Sequence, residues 1–131
     1  MGVIADIPDD GPDALYAWAR PHTPSLADAW DELAAEWEPS TPTDTDVILF
    51  VLVPGLVRAV HEGDLVTASE VAVMVEAMAT YDRFMWNHVA VTAAPAIAEE
   101  VSREGIGRLM PLLGPQTRSL VEQSFASIRR D

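Results

Sequence analysis

The chain has no cysteine and no lysine, and its eight cationic side chains are all arginine. The absence of cysteine excludes a disulfide framework, a thiolate metal site and a cysteine nucleophile together. It makes a reducing, cytoplasmic setting the default expectation. Cations are scarce beside 21 aspartates and glutamates, which leaves a formal net charge of −13. Such a chain repels phosphate backbones and anionic membrane surfaces. Only Arg129 and Arg130 stand together, so the concentrated basic patch that direct nucleic-acid binding needs is missing. Long hydrophobic runs are missing too. The longest, Val47 to Val53, continues through Pro54 and Gly55 only to Arg58, far short of the ~20 residues of a membrane-spanning helix. The start, MGVIADIPDDGPDA, offers neither a basic segment nor an apolar run, so it does not read as a secretory signal.

At 131 residues the chain has the length of one ordinary domain, able to bury about two-thirds of the surface its unfolded form exposes. Its charge is unevenly placed. Residues 1–64 carry thirteen acids and two arginines, whereas residues 65–131 carry eight acids and six arginines. An electrostatic partner is therefore expected to meet the N-terminal half.

Punctuation and periodicity predict an all-α domain. Residues 1–11 read as a flexible acidic leader and 12–131 as a single helical domain. A short helix is expected from Pro12 to about Arg20, ended by Pro21, and a second from about Pro24 to Trp37, capped by Thr23 or Ser25. The run from Asp46 through VILFVLVPGLVRAVHEGD admits two readings: a buried strand followed by a helix, or one buried helix kinked near Pro54 and capped by Asp44 or Asp46. The single helix is preferred, because no other run offers a strand a partner. Asp64 then caps a helix to about Thr80, and another runs from Asp82 to about Val101, kinked or divided at Pro95. Gly105 and Gly107 loosen the chain ahead of Arg108, and Gly114-Pro115 opens a last helix to about Ile128, whose closing arginines suit its C-terminus. The result is a compact bundle of about six or seven helices, with HEAT-like antiparallel pairs as one possible arrangement.

One stretch separates apolar from acidic residues more sharply than any other: SLADAWDELAAEWE, residues 25–38. At 100° per residue Leu26, Trp30, Leu33 and Trp37 fall within roughly 60° of arc, with Asp28, Asp31, Glu32 and Glu36 opposite. The acids are either a solvated face or a docking surface for a basic partner, extended by Glu38, Asp44 and Asp46. Acids at i, i+4 repel one another, and no cation lies between Pro21 and Val57 to relieve them.

The catalytic alternatives find less support. Helical metal-dependent pyrophosphohydrolases use paired Glu-x-x-Glu and Glu-x-x-Asp motifs; here Asp28-x-x-Asp31 has no second pair on a later helix. His61 and His88 are preceded at di-iron spacing by Arg58 and Met85 instead of glutamate. Ser69, Ser102 and Ser124 lack the strained turn of a nucleophile. Gly105-Ile-Gly107 is too short for a phosphate loop. Phe84, Met85 and Trp86 read as core and not as a ligand cage. No cofactor or metal is implied, and an enzyme is not expected.

The segments HEGDLVTASEVAVMVEAM and LMPLLGPQTRSLVEQSF, with a Trp-rich acidic helix ahead of a Gly-Asp turn and Leu-Gly-Pro before the final helix, resemble small all-helical bacterial proteins similar to the immunity partners of polymorphic toxins. That resemblance spans about residues 24–126, with Pro54 and the β-branched run before it as the departure. It implies an acidic protein that binds and occludes a basic toxin, with no active-site residues to carry over. The partner-binding residues expected are Asp28, Asp31, Glu32, Glu36, Glu38, Asp44 and Asp46. The alternatives are a helical adaptor or homo-oligomerisation module using the apolar run 47–57, and a metal-dependent hydrolase.

Overall fold

The computed structural model describes residues 14–129, and among these it contains helices and no strand. The leader 1–11, the expected helix start at Pro12 and Arg130 lie outside the described residues. Helix α1 is Ala14–His22. A single 3-10 turn, Pro24–Leu26, leads into α2, Ala27–Trp37. Helix α3 covers residues 44–62 without a break, as Asp44–Val47, a π turn at Ile48–Leu52, and Val53–Glu62. Helix α4 is Leu65–Tyr81. Helix α5 covers residues 83–100 and repeats the construction of α3, with a π turn at Val89–Ala93. Helix α6 is Arg103–Leu109, closed by a 3-10 turn at Met110–Leu112, and α7 is Pro115–Arg129.

Proline explains both π turns. Each stands ahead of a proline at the second position of the next helical segment, Pro54 or Pro95. Proline lacks an N–H, and its ring would press on the carbonyl four residues back in an unbroken α-helix. Here the residue before the proline bonds one position further back: Val53 N–H donates to Ile48 O and Ala94 N–H to Val89 O. The wider turn accommodates the ring, and the helix continues. The π turns also pack against each other. The expected kinked helix is thus present, and the strand reading of 47–57 is not.

Helix α4 organises the bundle. Thr67, Ala68, Val71, Ala72, Met74, Val75, Met78 and Ala79 are all buried, so the helix is covered on most sides. It packs against α3 and α5, its sequence neighbours, and also against α1 and α7. Contacts to four helices place it at the centre of a compact helical bundle. The core around it includes Trp18, Trp30, Leu56, Met85, Ile97 and Leu109, each at most 2% exposed.

Several local expectations change once tertiary contacts are present. Helix α1 continues through Pro21 to His22, because a proline in the last turn removes one bond and leaves the earlier ones intact. Neither Thr23 nor Ser25 caps α2. Thr23 Oγ1 donates to Ala19 O (2.9 Å) and accepts from Trp30 Nε1 (2.8 Å), tying the two helices together, while Ser25 N–H donates to Glu70 (2.8 Å). Thr43 caps α3, in place of Asp44 or Asp46. Gly105 and Gly107 lie inside α6; a Cβ at 105 would meet the His61 ring at 2.9 Å, so the glycine permits close packing instead of loosening the chain. Phe84 is half-exposed, whereas Met85 is buried.

The start of α7 shows the same dependence on a distant side chain. The Glu76 carboxylate, on α4, accepts from Gln116 N–H (3.2 Å), Thr117 N–H (2.9 Å) and the Thr117 hydroxyl (2.8 Å). A Cβ on Gly114 would overlap that carboxylate, so glycine is what lets it reach the helix end. Glu76→Ala should lower stability by about 2 kcal/mol, the cost of losing hydrogen bonds to a charged acceptor. Gly114→Ala should also destabilise, but most of its effect should vanish in the Glu76→Ala background. Denaturant unfolding of the four proteins in this cycle reads the coupling directly; strictly additive losses would show that the two residues act separately.

Candidate functional site

The helix with the sharpest sorting delivers its apolar side to the core, with Leu26, Trp30 and Leu33 buried and Trp37 half-buried. Its acidic side is exposed and divides in two. Asp28 and Glu32 face a cleft between α2 and α3, while Asp31 turns toward α1 and pairs with Arg20 at 2.6 Å. Arg20 also contacts the Tyr16 hydroxyl and lies over its ring. The cation that relieves Asp31 thus stands just outside the arginine-free stretch. Both partners are well exposed, so the pair adds at most a few tenths of a kcal/mol to about 1 kcal/mol.

The other expected residues scatter. Glu36 and Glu38 are exposed at the end of α2, away from the cleft lining. Asp46 supports the Thr43 cap: its N–H donates to Thr43 Oγ1 (3.2 Å) and its carboxylate accepts from that hydroxyl (2.6 Å). Asp44 is not on a rim at all. Its side chain is 2% exposed, accepts from Leu15 N–H at 3.1 Å in the first turn of α1, and lies 3.6 Å from His88 Nε2. An exposed docking role for Asp44 is therefore replaced by an anchoring one: a carboxylate at a helix N-terminus meets unsatisfied donors and the positive end of the dipole. The run 47–57 is likewise mostly core, with only Leu49 and Phe50 among its large apolar residues exposed.

The cleft has a volume of about 530 Å³. Five carboxylates line it, from Asp28, Glu32, Glu62, Asp64 and Glu100, against one cation, Arg58. Arg58 pairs with Glu62 at 3.5 Å, both side chains being largely in solvent. Between the acids the lining is apolar or small, with Leu26, Ala29, Val51, Pro54, Gly55 and Ala59, and Phe50 stands at the lip with 64% of its surface exposed. Leu26 and Gly55 bring the helices close: a Cβ at 55 would meet the Leu26 side chain at 2.7 Å. Glu62, Asp64, Glu100 and Phe50 were not singled out by sequence as binding residues. Glu62 and Asp64 flank the Gly63 turn, and nothing local marks Glu100 as their neighbour.

The Asp64 carboxyl is held below its ordinary range. The Thr67 hydroxyl, at 2.7 Å, is the largest cause, followed by the Thr67 N–H; both stabilise the charged form. Among the described residues no group of three or more His, Asp or Glu side chains is arranged to hold a metal ion, so the acids of the cleft present separate charges. His61 Nε2 accepts from Ser102 N–H at 3.1 Å, which commits that nitrogen's lone pair to a structural bond at the start of α6. No helix among the described residues is long and apolar enough to cross a membrane. No protein-family model, curated protein or solved structure matches the chain.

Two outcomes separate anchoring acids from displayed ones. Asp44→Ala should cost about 2 kcal/mol in denaturant unfolding, because Leu15 N–H loses a buried charged acceptor, whereas Asp28→Asn should stay within about 0.5 kcal/mol. Similar losses from both would contradict this division. Asp64 makes a pH-dependent contribution: its folded carboxyl titrates below the unfolded one, so the stabilisation is complete above the ordinary carboxylate range and is lost as pH falls through the lowered value. Asp64→Asn should therefore flatten the acid limb of stability against pH relative to wild type; parallel limbs would show that the cap is not titrating there.

Proposed function

We propose that this chain is an acidic helical protein-binding module of the immunity type, which neutralises a basic bacterial toxin by occluding its active surface. The cleft between α2 and α3 carries this reading: five carboxylates and one arginine converge on an open groove with an exposed phenylalanine at its edge. Displayed charge of one sign speeds encounter with an oppositely charged partner and selects against acidic ones. An exposed aromatic beside it supplies the contact area that charge alone lacks. The resemblance carried by the Gly-Asp turn and the Leu-Gly-Pro segment points the same way, as does the net charge of −13.

The binding residues in this reading are Asp28, Glu32, Glu62, Glu100 and Phe50. Asp31, Glu36 and Glu38 lie outside the cleft lining and are not assigned to binding, Asp44 and Asp46 hold the fold, and no catalytic step is assigned to the protein.

Capture from a lysate of the native host tests this. Wild type and Glu36→Gln/Glu38→Gln should both retain the same basic protein at low salt. Asp28→Asn/Glu32→Gln should lose it, and high salt should release it from all three. Equal retention by the two double variants, or a retained partner that is not basic, would remove the cleft from the function.

A further inference from the structure

We infer that the cleft receives a cationic amphipathic helix of the partner, laid along α3, with arginines directed at its walls and an apolar residue set against Phe50. The inference rests on the proposed binding role and specifies the occupant. Asp28 and Glu32, one turn apart, form the α2 wall, and Glu62 and Glu100 contribute acids further along the lining. Between Phe50 and Glu62 the axis of α3 advances about 18 Å, the length of roughly three helical turns.

The shape favours a helix over an extended peptide. Strand addition needs an open sheet edge, and the described residues contain no strand. A groove between two packed helices instead matches the ridge of a third. The lining combines the two chemistries that an amphipathic occupant presents, with Leu26, Ala29, Val51, Pro54, Gly55 and Ala59 among five carboxylates. Arg58 already displays the matching chemistry within the cleft, its guanidinium lying 3.5 Å from Glu62. Arginine suits the site better than lysine, because its planar group can pair with a carboxylate through two parallel hydrogen bonds.

The probe is a synthetic, fluorescently labelled amphipathic peptide of about four turns, with leucines at i, i+4, i+7 and i+11 and arginines on both flanks, titrated by anisotropy against the full chain. Wild type and Glu36→Gln/Glu38→Gln should bind it with affinities within about twofold of one another. Asp28→Asn/Glu32→Gln and Phe50→Ala should each weaken binding by about tenfold, since they remove cleft charges or the aromatic lip. A peptide with glutamine in place of arginine should bind at least about tenfold more weakly. Circular dichroism of each variant establishes that the helices persist. Equal weakening by both charge-removing double variants would mean attraction to a diffuse acidic field and would overturn the inference. So would equal binding of a proline-interrupted arginine peptide, or no binding at all. If the helical peptide fails while lysate capture still depends on Asp28 and Glu32, the helical occupant is wrong and the binding role stands.

Discussion

A helix begins with N–H groups that its own backbone cannot satisfy, and this fold depends on carboxylates that meet them. Asp44 on α3 reaches the start of α1, Glu70 on α4 reaches the turn ahead of α2, and Glu76 on α4 reaches the start of α7. Asp64 and Asp82 begin α4 and α5 from the cap position itself, accepting from Thr67 and Met85. Each contact joins a favourable dipole interaction to hydrogen bonds with a charged acceptor. The three long-range ones also fix where one helix starts relative to another. Helix α4 supplies two of them, so the element at the centre of the core also locates the ends of its neighbours.

This use of acids changes the meaning of the net charge. An excess of carboxylate would ordinarily be read as self-repulsion at the surface. Here part of it is consumed at helix ends, and Asp31 is answered by Arg20. What remains is not evenly spread: Asp28, Glu32, Glu62 and Glu100 gather along one cleft with Arg58 as its cation. The cleft lies where the turn ahead of α2 sits close on α3, with Leu26 against Gly55. The packing that buries Trp30 therefore also presents Asp28 and Glu32.

Backbone adjustment serves the same end. Pro54 and Pro95 could have divided α3 and α5; a single π turn before each keeps the helices continuous. Continuity matters for α3, because its cleft-facing residues run from Phe50 through Pro54 and Arg58 to Glu62 on one uninterrupted helix. A break at the proline would separate the aromatic lip from the acidic end.

The all-α class, the cap at Asp64, the glycine ahead of α7 and the inward face of Leu26, Trp30 and Leu33 were all legible in the sequence. They depend on turn chemistry and on the 3.6-residue period, which neighbours along the chain determine. Charge, by contrast, has no local signature of role. Asp44 and Asp46 are two residues apart and chemically identical, yet one is buried against α1 and the other accepts from Thr43, the cap of its own helix. Phe50 sits in a run of apolar residues whose other members are mostly core, yet the packed helices leave it exposed at the edge of the cleft. Glu100 joins Glu62 and Asp64 in one lining through the packing of α5 and α6 against α3. The sequence by itself thus determined which segments coil and which faces turn inward, because both follow from short-range periodicity and apolar burial. Only the tertiary structure decided which carboxylates anchor helices and which line a cleft, because that depends on distances between residues tens of positions apart.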